Sequence, residues 1–186
     1  MDSYLEFILL PDPEIATTVL MSELFGHIHL ALVEKGEGQV GVSFPLVKQA
    51  GGLGGVLRLH GESPRLSVIK KALRLGALVG YLEVVGPRDV PENVSHRVVR
   101  RVQAKSNPAR LRRRLMRRHG MTLEQATKQI PDEAKKTLKL PFINLKSAST
   151  GRLFPLFIKH EENQAEPSLG QFSTYGLSTS GTVPWF

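Results

Sequence analysis

The side chains of this chain that could move a proton are histidines, carboxylates and tyrosines, because it contains no cysteine. One candidate is His29, in the segment LFGHIHLAL. At helical spacing it lies off the apolar stripe of Leu20, Leu24 and Ile28, and Gly26 one turn earlier lets a ligand or backbone approach. An imidazole titrates near neutral pH and can serve as a general base or acid. On the residues alone, the favoured interpretation is a half-buried or surface histidine with no chemical role.

A second candidate group is the hydroxyl-rich segment SASTG, from Ser147 to Gly151. In a strand, Ser147 and Ser149 project to the same face. With Phe154 nearby, they could contact a sugar-phosphate beside a surface on which a base stacks. The alternative is a plain hairpin turn, which these residue types also favour. Tyr175 either belongs to the core or exposes its hydroxyl as a hydrogen-bond partner.

The sequence indicates no metal or cofactor site. His27 and His29 are two residues apart, so on a helix their side chains should diverge. Thiolate ligands and disulfides are excluded because the chain contains no cysteine. No GxSxG, P-loop or GxGxxG motif is present.

Positive charge is concentrated in the second half of the chain. The net charge is +8, yet residues 1–94 hold 8 basic and 11 acidic side chains, whereas residues 95–186 hold 17 and 6. The stretch from Arg97 to Arg118 contains ten Lys or Arg and no acid. Such a density is unfavourable by self-repulsion unless a polyanion neutralises it, and arginine matches phosphate oxygens and base edges well.

The centre of this stretch predicts an arginine-rich helix over residues 108–119. Asn107-Pro108 is a helix-start signal, and Gly120 follows the expected end. Five arginines fall within about 140° of one another at 100° per residue: Arg110, Arg113, Arg114, Arg117 and Arg118. A merely solvated face would intersperse Glu for i,i+4 pairing, and none is present. The helix therefore predicts nucleic-acid binding, although charge alone does not choose between DNA and RNA.

General features of the chain fit one ordinary domain or two small ones. It has 186 residues, of which 41% are hydrophobic. No run of 18 apolar residues exists, and the N-terminus lacks a basic leader and a cleavage site. We therefore expect no membrane span, no signal peptide and a cytoplasmic location.

The first half predicts the order β-α-β-β-α-β, the ferredoxin-like split motif. Turn residues from Gly86 to Pro91 mark its end, so residues 1–91 form the expected first domain. The elements are a strand Tyr4–Leu10, a helix from Asp12-Pro13-Glu14 to Lys35-Gly36, strands Gln39–Phe44 and Val56–His60 around a flexible loop Ala50–Gly55, a helix from Ser63-Pro64, and a strand Leu78–Val85.

The second half, residues 92–186, predicts a smaller α+β domain that carries the arginine-rich helix. Thr122 and Gln125 form a possible capping box for a further helix, which Pro131 interrupts. The extended segments are Arg97–Gln103, Phe142–Ser147, Leu153–Lys159 and Gln171–Leu177. The fold class is thus α+β.

Four segments together resemble a known family, the repeat-processing endoribonuclease of type I-F CRISPR systems (the Csy-four type). They are RVQAKSNPARLRRRLMRRHG (101–120), STG followed by Phe154, YGLS (175–178) and the terminal VPWF. The resemblance implies metal-independent cleavage of precursor CRISPR RNA at the 3′ base of the repeat stem-loop. It also implies attack by a 2′-hydroxyl, a 2′,3′-cyclic phosphate product, and continued binding to the mature guide hairpin, beside other subunits of a surveillance complex.

The resemblance also assigns roles to residues. His29 matches the catalytic histidine, Ser147 the serine that aligns the 2′-hydroxyl, and Tyr175 the tyrosine that orients the imidazole. The positions that match RNA contacts are Arg101 and Gln103 for base pairs, Arg113, Arg114, Arg117, Arg118 and His119 for phosphates, Ser149 for a further phosphate, and Phe154 for the terminal base pair; Arg110 shares the cationic arc. The alternative is a non-catalytic RNA hairpin-binding subunit of a guide RNA complex.

Overall fold

Two antiparallel sheets and several helices make up the chain in a computed structural model. The structure describes residues 1–48, 52–103, 108–131, 138–147 and 150–186. The chain forms two compact units, Met1–Val102 with Leu140–Phe186, and Gln103–Lys139. The expected α+β content is confirmed, and the ferredoxin-like classification stays a prediction.

The first sheet has the strand order β2-β3-β1-β4. Strand β1 alternates strictly between buried and half-buried residues, so that Leu5, Phe7 and Leu9 enter the core. The elements in chain order are β1 (Ser3–Leu9), α1 (Thr17–Lys35), β2 (Gly41–Ser43), β3 (Val56–Gly61), α2 (Ser63–Ala72), a 3-10 helix (Gly76–Tyr81) and β4 (Leu82–Asp89).

The second sheet has the order β6-β7-β5-β8. Its strands are β5 (Ser95–Val102), β6 (Phe142–Lys146), β7 (Leu153–Gln164) and β8 (Thr182–Trp185). Helix α1 packs against β6. Residues of both elements line one cleft. The first sheet uses residues 3–89 and the second uses residues 95–185, while the proposed domain boundary at residue 91 stays a prediction.

The second compact unit contains α3 (Pro108–His119) and α4 (Leu123–Gln129). The predicted arginine-rich helix is confirmed with the same bounds. The capping box is also confirmed: the Thr122 hydroxyl accepts from the Gln125 N–H, and the Gln125 side chain accepts from the Thr122 N–H. None of the helices in the described ranges is long and apolar enough to cross a bilayer.

Helix α1 begins at Thr17 and not at Asp12, as the sequence had predicted. The Asp12 carboxylate accepts the backbone N–H groups of Glu14 and Ile15, at 2.9 and 2.8 Å. These bonds close a turn instead of a helix, which is the local alternative that Asp side chains offer. The helix then follows Ala16, which has extended backbone angles and no side-chain cap.

Two predicted strands of the chain are wrong in part. Residues 78–81 form the end of the 3-10 helix, and β4 starts only at Leu82. The segment Gln171–Leu177 is not a strand: Ser173 N–H bonds to the Leu177 carbonyl and Gly176 N–H to the Ser173 carbonyl, so the chain turns back. Strand β5 pairs with β7 and also with β8, a strand that the sequence reasoning did not predict. β8 contains Pro184, which is tolerated because β8 lies at the sheet edge.

The buried His60 and the partly buried His160 make the protein sensitive to acid. Burial, with the Arg58 cation nearby, lowers the pKa of His60 to about 3, and burial beside Arg97 lowers the pKa of His160 to about 4. At a pH below about 6.5 and above these lowered pKa values, the two histidines are protonated in the unfolded chain and neutral in the native state. We therefore expect the free energy of unfolding to fall as the pH is lowered. For a fully buried histidine such as His60 the fall is about 1.4 kcal/mol per pH unit.

Urea unfolding near pH 7 and about pH 5 measures this slope while carboxylates stay ionised. Equal unfolding free energies at the two pH values would contradict the expectation.

Candidate active site and arginine helix

A cleft of about 730 Å³ lies beside α1 in the first compact unit. It brings together four of the residues that the sequence singled out: His29, Ser147, Phe154 and Tyr175. Further lining residues come from α1, from β6 and from the start of β7: Ser22, Glu23, Gly26, His27, Leu30, Asn144, Leu145, Lys146 and Leu153. Ser149 lies outside the described residues.

The imidazole of His29 is held by the loop that follows β7. Its Nδ1 lies 2.8 Å from the Thr174 carbonyl oxygen. A carbonyl can only accept, so Nδ1 carries the proton and the neutral ring keeps its lone pair on Nε2. Tyr175 stacks on the same ring with centroids 4.2 Å apart and planes 12° apart. The ring is therefore fixed in both orientation and tautomer.

The loop itself is held by a glycine. Gly176 has φ +67°, and its carbonyl accepts from the Val42 N–H at 2.8 Å. A Cβ at Gly176 would lie 2.3 Å from a Val42 methyl. Only glycine fits this approach to β2, which fixes the neighbouring Tyr175 against α1.

Tyr175 is also the centre of a wider aromatic and cationic group. Its ring is parallel to that of Phe25, with centroids 6.4 Å apart and planes 7° apart. The guanidinium carbon of Arg101 lies 5.6 Å from its centroid, within cation–π range. Arg101 is thus close to the ring that contacts His29, a proximity that spacing along the sequence did not reveal.

Ser147 begins the turn between β6 and β7. Its N–H bonds to the Arg152 carbonyl at 2.9 Å, its carbonyl accepts from Gly151, and its hydroxyl oxygen lies 3.3 Å from the Thr150 N–H. The hairpin-turn interpretation and the cleft position are therefore compatible. The turn fixes where the Ser147 side chain leaves the strand.

A hydrogen bond ties α1 to the edge of the second sheet. The Asn144 N–H donates to the Ser22 hydroxyl at 3.3 Å, and that hydroxyl donates to the Thr18 carbonyl at 2.8 Å. Because β6 is an edge strand, this N–H points away from the sheet. The bond joins the helix that carries His29 to the strand that ends at Ser147. Sequence reasoning missed it, as it missed the Thr174 carbonyl.

His27 lines the cleft together with His29, although i,i+2 residues leave a helix on different sides. The cleft therefore extends across a broad face of α1. Glu23, one turn before His27, lies 3.5 Å from its Nε2. A Cβ at Gly26 would meet no atom within 4 Å, so the middle of this face is open.

In the second compact unit, four arginines of α3 line a hollow of about 370 Å³. They are Arg110, Arg114, Arg117 and Arg118. Arg112 points elsewhere and donates to the Ile130 carbonyl at 2.7 Å, which joins α3 to α4. Arg113, Gln103 and His119 are exposed. Four cations around a common space favour an anion at that place.

Comparison with known proteins gives consistent matches along the chain. The family model described as CRISPR-associated protein (Cas_Csy4) matches residues 4–186. The chain is 48% identical over 187 residues to the CRISPR-associated endonuclease Cas6/Csy4 of Pseudomonas aeruginosa (strain UCBPP-PA14), with 100% of each chain covered. It is 44% identical over 186 residues to the protein of the same description from Escherichia coli (strain UTI89 / UPEC), again with 100% of each covered.

Proposed function

The chain belongs to the Cas_Csy4 family of CRISPR-associated proteins, and we propose that it is a metal-independent endoribonuclease for precursor CRISPR RNA. It cuts at the 3′ base of the repeat stem-loop and stays bound to the hairpin of the mature guide. The observation that carries the proposal is the fixed imidazole of His29, with its lone pair on Nε2, in a cleft shared with Ser147.

The reaction is a transesterification within the RNA. His29 Nε2 takes the proton of the 2′-hydroxyl before the cut, and the oxygen attacks the adjacent phosphorus. The P–O5′ bond breaks, which leaves a 2′,3′-cyclic phosphate and a 5′-hydroxyl. Ser147 holds the 2′-hydroxyl in line with the leaving oxygen, and the stack of Tyr175 on His29 keeps the base from rotating. No step requires a metal ion.

The hairpin is bound by cations and one aromatic ring. The arginines of α3 that surround the hollow, with Arg113 and His119, contact phosphates. Arg101 and Gln103 read base pairs at the foot of the stem, since an arginine fork matches guanine and a glutamine amide matches adenine. Phe154 stacks under the terminal base pair, and Ser149 contacts a nearby phosphate.

The finer fold assignment belongs to the same proposal. A sheet order of β2-β3-β1-β4, with α1 and α2 as the two connecting helices, supports a ferredoxin-like first domain over residues 1–91. Residues 92–186 then form the RNA-binding domain. Retention on the guide hairpin would place the protein among other subunits of a type I-F complex.

Incubation of the protein with an end-labelled repeat stem-loop and excess chelator tests the function. We expect one cut at the 3′ base of the stem, with a cyclic phosphate on the upstream fragment and a 5′-hydroxyl on the other. Stable binding with no cleavage supports the alternative, a non-catalytic hairpin-binding subunit. The cleft that contains an oriented imidazole favours the enzyme.

Arg117→Ala is expected to weaken hairpin binding about equally for all stem sequences, because a phosphate contact carries no sequence information. It should also reduce the slope of log affinity against log salt by about one unit. The measurement is a titration at several salt concentrations. Lys128→Ala in α4 is a matched control, since Lys128 faces Glu124 and is not in the hollow. A slope that Arg117→Ala leaves unchanged would count against a phosphate contact.

A further inference from the structure

We propose that His27 is a second catalytic residue, the general acid that protonates the 5′-oxygen as it leaves. The inference rests on the proposed function and extends it. A phosphoryl transfer of this kind needs a base at the attacking oxygen and benefits from an acid at the leaving oxygen. His29 supplies the base, and the cleft contains one other imidazole among the described residues, that of His27.

The positions of the two histidines suit an in-line displacement. At 100° per residue, His29 and His27 are about 160° apart around α1, and Gly26 lies between them. Both rings line the cleft, and Gly26 offers no side chain to block the space between. In-line attack places the 2′-oxygen and the 5′-oxygen on opposite sides of the phosphorus. A phosphate over Gly26 would have the base on one side and the acid on the other.

The surroundings of the two rings differ in a way that separates their roles. The Nδ1 of His29 donates to a neutral carbonyl, so the neutral ring is oriented with Nε2 as acceptor. His27 has the carboxylate of Glu23 3.5 Å from Nε2, and its side chain is only 27% exposed. A carboxylate can only accept, so it faces an N–H at Nε2 of His27. The two rings thus present an acceptor nitrogen at His29 and a donor nitrogen at His27, which are the groups that a base and an acid need.

Other titratable residues line the same cleft as His27. They are Glu23 and His29 of α1, Lys146 of β6, and Tyr175. The Lys146 ammonium is the competing source of a proton for the leaving oxygen. Lys146 is the last residue of β6 and does not lie on the helix that carries both histidines. Its neighbour Ser147 is assigned to the 2′-oxygen side.

The proposed step balances in atoms and charge. The imidazolium N–H of His27 donates its proton to O5′ while the P–O5′ bond breaks and its electron pair stays on that oxygen. At the same time the 2′-oxygen forms its bond to phosphorus after His29 Nε2 has taken the 2′-proton. The enzyme ends with His27 neutral and His29 protonated, and exchange with water restores both.

The test uses a stem-loop in which sulfur replaces the 5′-bridging oxygen at the cut, since a thiolate leaves without protonation. We expect His27→Gln to lower the single-turnover rate on the oxygen substrate by about 10²-fold or more, and to cleave the sulfur substrate at a rate close to wild type. His29→Ala should remain slow on both substrates. His96→Gln, outside the cleft, is the matched control and should be unchanged on both.

Each alternative outcome overturns the inference. A normal rate of His27→Gln on the oxygen substrate means that His27 donates no proton. An equal loss on both substrates means that it has a structural role. Rescue by sulfur of Lys146→Gln, and not of His27→Gln, transfers the role to the lysine. Failure of the proposed function can be told apart from failure of this inference. In that case the wild-type protein itself would release no cyclic phosphate from the oxygen substrate.

The pH profile is an independent readout. With an acid and a base, the wild-type rate is bell-shaped, since the base is lost at low pH and the acid at high pH. His27→Gln should lose the fall at high pH and keep the fall at low pH. A His27→Gln profile that keeps the fall at high pH would contradict the assignment of the acid.

Discussion

His29→Ala is expected to lower the cleavage rate by about 10²–10⁴-fold, because it removes the proposed acceptor of the 2′-proton. Hairpin affinity should stay close to wild type, since phosphate contacts dominate affinity for nucleic acids. The rate is measured in single turnover with protein in excess, so that slow product release does not hide the chemical step. Affinity is measured on the same variant with a hairpin that ends at the cut.

Two control variants isolate the imidazole. Thr174→Ala keeps the backbone carbonyl that accepts from His29 Nδ1, so it should cleave at nearly the wild-type rate. Tyr175→Phe keeps the ring that stacks 4.2 Å from His29 and should lose far less activity than His29→Ala. A parallel loss of cleavage and hairpin binding in His29→Ala would instead show that His29 supports the structure of the RNA site.

The sequence predicted best the features that depend on local patterns. Helix α3 has the bounds that Pro108 and Gly120 indicated, and the capping box at Thr122 is formed by short-range bonds. His29 was singled out because it leaves the apolar stripe of its helix, and in the structure it is half-buried at the cleft while Leu24 and Ile28 are in the core. Such patterns report which side of an element faces solvent.

The missing parts depend on contacts that sequence spacing does not encode. The Thr174 carbonyl that orients His29 is a backbone group 145 residues away, and any residue type could provide it. The strand predicted over Gln171–Leu177 failed because Gly176 closes a turn there with a positive φ. That turn brings Tyr175 to α1, so the wrong local prediction concealed the packing that fixes the imidazole.

The same limit explains why His27 was set aside. Its i,i+2 spacing from His29 argues against a shared metal ion, because the two side chains leave the helix in different directions. That argument does not show that the two side chains lie in separate sites. A cleft that crosses the helix over Gly26 can contact both sides of it. Two histidines on different sides of the helix would suit an in-line reaction. Its two proton transfers occur at the 2′-oxygen and the 5′-oxygen, which lie on opposite sides of the phosphorus.

A single 2′-deoxy substitution at the nucleotide before the cut is expected to abolish cleavage, because the attacking oxygen is absent. No protein group can replace it in a transesterification that ends in a 2′,3′-cyclic phosphate. Binding should be nearly unchanged, since the proposed contacts of the α3 arginines are to phosphates, which the substitution leaves intact. The measurement is single-turnover cleavage beside a binding titration on the same oligonucleotide.

A stem-loop with the deoxy position moved one nucleotide downstream is the matched control and should be cut at close to the normal rate. Turnover of the first substrate at the normal rate would exclude 2′-hydroxyl attack, and an all-DNA hairpin bound and cut equally well would favour a DNA-directed protein. Loss of both cleavage and binding would show that the 2′-hydroxyl is a recognition contact. Cleavage lost with binding kept is the result that a base at His29 Nε2 and an aligned ribose together require.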